Sequence, residues 1–190
     1  MRHVRFLNLA SLLVFSLVLP GCAAVKVDFA KIQRPVRPAE LDAYDVFAGS
    51  WDWKAEMLNT DGPDRNWTGT AEWKWALDKR CLEGHLKSTN QRATFEANGV
   101  WTWHPINKRY QWWMFNDWGF PQQGNATYDA ATKTWRMPYT SIGLDGTKSH
   151  GEYCMTAVDN DTLEWCAEEW ADAMHTVKKL EMKGSYKRKK

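Results

Sequence analysis

The amino-acid sequence predicts an all-β protein, a single closed antiparallel up-and-down barrel of about ten strands with a short N-terminal helical cap. Three observations carry that prediction. From Gly49 onward apolar and polar residues alternate with a period of two, the pattern of strands with one buried and one wet face. No helical period of any length follows residue 47. The 190 residues include 13 Trp and 14% aromatics, which excludes a disordered chain and suits one domain.

The first 21 residues are set aside as a signal peptide. Arg2, His3 and Arg5 form a positive start, and Phe6 to Leu19 is apolar apart from Asn8, Ser11 and Ser16. That run is short of the roughly 20 apolar residues of a membrane span. It ends in Leu19-Pro20-Gly21-Cys22, which resembles the lipobox of bacterial lipoproteins and implies cleavage before Cys22 and its lipidation; the alternative is an ordinary signal with an incidental cysteine. By the same resemblance, Ala23 after the cysteine implies the outer membrane, with the domain facing the periplasm. Acyl chains would hold a soluble domain at the membrane surface. Residues 22–40 then form a tether, broken by Pro35 and Pro38 and wetted by Lys26, Lys31, Arg34 and Arg37. The domain proper is 41–190.

Charge follows the same division. The chain has 25 Lys+Arg and 23 Asp+Glu, and removing Arg2 and Arg5 with the signal leaves 23 against 23. A nucleic-acid partner would need a basic stripe, and only the tail Lys187-Arg188-Lys189-Lys190 is basic. It reads as a solubilising end or a weak touch on anionic lipid.

Leu41, Tyr44 and Phe47 fall at helical spacing and supply the cap. Trp51, Trp53, Ala55 and Met57 alternate with charged residues in the first strand, and Ala71, Trp73, Trp75 and Leu77 in the second. Phe95, Ala97, Gly99, Trp101 and Trp103 mark a later one, with further strands near 80–89, 108–118, 122–129, 134–141, 148–158, 162–170 and 174–187. Between them lie turn residues such as Asp61-Gly62-Pro63, Asp145-Gly146 and Asp159-Asn160-Asp161.

Phe47-Ala48-Gly49-Ser50-Trp51 resembles the F-x-G-x-W opening strand of the calycin superfamily, which includes lipocalins, fatty-acid-binding proteins and nitrobindins. The order of further motifs is similar to a bacterial domain-of-unknown-function family, number fifteen seventy-nine. Those motifs are Gly69-Thr70-Ala71-Glu72, Leu82-Glu83-Gly84, Tyr128-Asp129 with Thr132-Lys133-Thr134-Trp135, Asp145-Gly146 and the closing run from Leu180 to Lys189. The resemblance covers 47–189 and implies a single β-barrel without an assigned activity.

Strand parity, with Trp51 inward by analogy with the calycins, sorts the side chains. Inward fall Trp53, Met57, Trp73, Trp75, Leu77, Leu82, Leu86, Phe95, Trp101, Trp103 and Tyr110. So do Trp112, Met114, Trp135, Met137, Tyr139, Tyr153, Met155, Leu163, Trp165, Leu180 and Met182. The ligand-binding candidates among them are Trp53, Trp73, Trp75, Trp101, Trp103, Trp112, Met114, Trp135, Tyr139 and Trp165. Two readings follow: a pocket for an apolar or planar small molecule, or a barrel filled by its own indoles. Trp113 and Phe115 point outward, near Trp118, and with Trp170 would make a surface that stacks a saccharide or a protein. Burial under the 36–47 segment would cover them instead.

Chemistry is sparse. His85, His150 and His175 fall on outward faces, so the register supplies no convergent haem or zinc ligands and argues against a nitrobindin-like haem barrel, unless a bulge reverses a strand. No G-x-S-x-G, H-E-x-x-H, Walker or G-x-G-x-x-G sequence occurs. Glu164, Glu168 and Glu169 read as a solvated face. The expectation is a binding protein with no catalytic residue, metal or cofactor. Cys154 and Cys166 are equidistant from Asn160, so a three-residue loop would set them opposite each other for a disulfide, whereas a two- or four-residue loop would leave free thiols. Cys81 is expected to stay unpaired.

Overall fold

The computed structural model of the chain describes residues 28–31, 33–119, 121–143 and 146–190. The predicted signal peptide, the predicted lipidation site Cys22 and the first part of the predicted tether lie outside them. The chain divides into two compact units, 1–35 and 36–190. In the first, Phe29–Lys31 make one 3-10 turn, and Asp28 Oδ1 accepts from Ala30 N at 3.1 Å to start it.

The second unit is a closed barrel. After a 3-10 turn at Ala39–Tyr44 come β1 (Gly49–Met57), β2 (Asn66–Ala76), β3 (Cys81–Thr89), β4 (Thr94–His104) and β5 (Arg109–Asn116). Next are β6 (Gln122–Asp129), β7 (Thr134–Ile142), β8 (Lys148–Ala157), β9 (Thr162–Trp170) and β10 (Lys178–Arg188). Sequence neighbours pair antiparallel all the way round, and β1 meets β10 from Trp51↔Arg188 to Met57↔Met182, so neither edge is left open. The β6–β7 ladder is interrupted around Pro138, which has no N–H to give.

Turn chemistry sets the registers. Asp129 Oδ1 accepts from Ala131 N at 2.9 Å, and Asp159 Oδ1 from Asp161 N at 2.7 Å, each carboxylate closing its own turn. The second of these turns pairs Cys154 with Cys166, and the two form a disulfide. Cys81 is free and buried. Several boundaries differ from the alternation, and two have a visible cause. Leu77 is not inward but 73% exposed, because β2 stops at Ala76 and Leu77, Asp78 and Lys79 turn at φ 51°, 57° and 60°. The last strand starts at Lys178 and not near 174, because the Asp172 carboxylate accepts from the backbone N of Met174, Thr176 and Val177 and folds the preceding segment into a loop.

The predicted cap plugs one end of the barrel. Tyr44 stacks on Trp135 at 4.5 Å and 14°, edges Tyr110 at 5.2 Å, and is 1% exposed. Leu41 and Phe47 are buried beside it. The plug is pinned from outside: Trp75 Nε1 donates to Asp45 Oδ1 at 2.8 Å, Tyr110 Oη to Glu40 O at 2.9 Å, and the Arg37 guanidinium lies 5.0 Å from the Trp75 ring. Arg188 closes the arrangement. It donates to the carbonyls of Val46, Ala48 and Asn160 and covers the Trp51 ring at 4.1 Å, so the basic tail is built into the barrel and is not a loose solubilising end. At the opposite end the strands surround a mouth.

Candidate functional site

Above the plug, a cavity of about 460 Å³ opens through that mouth. Seven of the ten nominated residues line it: Trp53, Trp73, Trp101, Trp112, Met114, Tyr139 and Trp165. Trp75, Trp103 and Trp135 do not. Trp135 lies between Tyr44 and Tyr128, Trp103 packs edge-on against Tyr110 at 4.8 Å, and Trp75 is held by Asp45, so all three belong to the plug. Parity fixes which face a side chain takes and says nothing of its height along the barrel.

The barrel stays open because its large rings lie against glycines. Trp73 faces Gly84 across the β2–β3 ladder, Trp112 faces Gly124, Tyr139 faces Gly151 and Trp165 faces Gly184. A Cβ added at Gly84 would lie 2.4 Å from Trp73 and 2.7 Å from Trp101, and one at Gly151 would lie 2.3 Å from Tyr139. A ring with a bare backbone opposite it can lie along the wall, whereas a facing side chain would push it into the lumen. The flat arrangement has a cost. Nε1 of Trp53, Trp112 and Trp165 is buried and finds no acceptor among the described residues, a loss of about 1–3 kcal/mol for an unpaired donor.

The wall has two characters. On the β1–β5 side it is mainly apolar, with Trp53, Met57, Trp67, Trp73, Leu86, Phe95, Trp101 and Met114 beside the polar Ser88 and Asn116. On the β6–β9 side polar groups join it: Gln122, Ser141 and Ser149, in register on three adjacent strands and all buried. Tyr153 Oη donates to Gln122 Oε1 at 2.8 Å, and Tyr139 Oη to Glu169 Oε2 at 2.9 Å, with the two tyrosine rings stacked at 4.8 Å. Glu169 therefore does not belong to a solvated face. Leu163, Trp165, Ala167 and Glu169 share one inward parity, while Glu164 and Glu168 lie outward. Burial above all, then Tyr153 and Glu169, hold the Tyr139 phenol protonated far above the ordinary tyrosine range, so it remains a donor.

The mouth is lined by residues that alternation missed. Trp118 follows β5 in a loop and folds over the rim, edging Phe95 at 5.5 Å and Trp67 at 6.4 Å, with Nε1 donating to Thr94 O at 3.2 Å. It is a cavity residue and not part of an outer platform. Trp170 stacks on the His175 ring at 4.1 Å, which occupies one of its faces. Phe115 remains 60% exposed on the outer wall with Trp113 half-buried nearby, and the 36–47 segment, at the other end, does not cover them. His85 turns outward to Asn98 Oδ1 at 2.8 Å. His175 sits in the β9–β10 loop and not on a strand. Among the described residues no group of three or more His, Cys, Asp or Glu converges as a metal site.

Fold and site together define an aromatic-walled β-barrel with one end plugged. No protein-family model matches the chain, and no curated protein matches its sequence. Solved structures do. Rv2717c from M. tuberculosis superposes with a TM-score of 0.61 at 11% identity, over 80% of this chain and 99% of that one. The S-type phycobiliprotein lyase CPES from Guillardia theta does so with 0.54 at 9% identity, over 81% and 94%. A redesigned β-barrel, mFAP1, bound to DFHBI, matches with 0.43 at 11% identity, over 77% and 98%. At these identities the likeness to the first two is one of fold alone, that of an antiparallel β-barrel.

Proposed function

We propose that the protein is a lipoprotein of the cell envelope, anchored through Cys22 to the outer membrane and facing the periplasm, whose barrel binds an apolar or planar small molecule and carries out no catalysis. One observation carries the binding reading: the rings rest on glycines and leave about 460 Å³ behind the mouth, within the size range of small-molecule sites. The lipobox-like Leu19-Pro20-Gly21-Cys22 supports the anchor, and the order of short motifs supports kinship with the domain-of-unknown-function family it resembles. Native mass spectrometry of protein taken from its own membrane tests the binding reading. A retained, lipid-sized adduct is expected. Empty protein whose tryptophan fluorescence responds to cell-wall saccharides would transfer the function to the outer surface at Trp113 and Phe115.

A further inference from the structure

The cavity carries a charge that an apolar pocket does not need. Glu169 stands on β9 opposite Gly151 on one side and Leu180 on the other, turned inward at the polar wall. Among the described strand residues it is the one carboxylate at an inward position. Tyr139 donates to Oε2, and among the described residues no cation pairs with it and no other group donates to it. His85 is turned outward to Asn98 and Glu96, and Lys179, at the rim, is exposed. Gln122, Ser141 and Ser149 line the same wall, whereas the wall across the lumen is mainly rings and aliphatic groups, with Ser88 and Asn116 as uncharged polar members.

A carboxylate in such a place acts as a filter. It accepts a hydrogen bond from a hydroxyl, amide or ammonium group, and it repels a second carboxylate brought out of water beside it. We infer that the cavity selects an uncharged or cationic ligand with a planar apolar body and a hydrogen-bond-donating polar end directed at Glu169, and rejects fatty acids and other carboxylate-bearing amphiphiles. Discrimination of this kind comes from a repulsive element against the wrong ligand as much as from an attractive one for the right ligand. The inference rests on the cavity being a ligand site.

Three probes with one ring system and different polar ends test it: 1-pyrenemethanol, 1-pyrenemethylamine and 1-pyrenecarboxylate at neutral pH, titrated into the full chain. Binding is read as energy transfer from tryptophan to pyrene. The alcohol and the amine should bind at least about tenfold more tightly than the carboxylate. Glu169→Gln keeps the shape and removes the charge, and should bring the carboxylate to within about threefold of the alcohol while near-UV circular dichroism stays unchanged. Equal binding of all three by the native protein overturns the selectivity and leaves the cavity reading intact, as does a preference that survives in Glu169→Gln. Binding of none of the three overturns both. Should Glu169→Gln fail to fold, the order of the three probes on the native protein still decides.

Discussion

Gly84 lies beneath both Trp73 and Trp101, and the atoms that would meet a new methyl group there are ring atoms and not backbone. Gly84→Ala therefore has one way to be accommodated, by tilting an indole into the lumen. Overpacking of this kind costs about 1–3 kcal/mol, and the cavity shrinks with it. Binding of 1-pyrenemethanol should weaken by about tenfold or more while the protein stays folded, and unchanged affinity would show that the glycine bed does not set the open volume. A second prediction at this scale concerns tyrosine. Burial pushes Tyr110 and Tyr153 up to about 12, whereas in the unfolded chain a phenol ionises near pH ~10. A folded pKa above the unfolded one stabilises fully below pH ~10 and is lost as pH rises through the folded value. The barrel should lose stability between pH ~10 and about 12, with phenolate absorbance at 295 nm appearing together with loss of the sheet signal. Ionisation of all tyrosines near pH ~10 in a fully folded protein would contradict it. Glu169 shows what single residues hide. It follows Glu168, and the acidic pair reads as surface, although the inward parity of Leu163 and Trp165 continued by four residues reaches Glu169.

At the scale of elements, alternation announced all ten strands and was weakest where strands end. Leu77 continues the apolar period but sits in a left-handed turn. The segment from 174 reads as strand in sequence, and the Asp172 carboxylate, with the Ala171 N to Val177 O and His175 N to Asp172 O bonds, folds it into a loop instead. Turn length, by contrast, was readable from symmetry: the Asp159-Asn160-Asp161 turn sets β8 against β9 so that Cys154 faces Cys166. The bond encloses a sequence separation of 12, and a loop of that size is worth about 2–3 kcal/mol in the chain-entropy account. The double variant Cys154→Ser, Cys166→Ser should lower the urea midpoint accordingly with an unchanged slope. A native midpoint in the variant would mean that the β8–β9 ladder alone holds the strands. The glycine–ring pairs were not legible, because they depend on which residue faces which across two strands. Alternation gives a face, and only register gives a partner.

For the molecule as a whole, the tryptophan excess divides by height along the barrel. One set builds the plug with Tyr44 and Tyr110, another lines the cavity, and Trp118 roofs the mouth. Trp67 and Trp118 apart, the sequence separated inside from outside but not these layers, since the plug is a segment from before the first strand whose depth no strand period records. The proposed anchor belongs to this scale too. Cys22→Ser should release the protein from the membrane fraction into the soluble periplasmic extract; retention in the membrane would show that something other than acyl chains holds it.

The start of β1 and the end of β10 both lie at the plugged end, away from the mouth. A fused fluorophore or the surface of a sensor chip joined after β10 therefore attaches beside the plug and leaves the opening unobstructed. The barrel can thus be immobilised through its last strand without blocking what enters it.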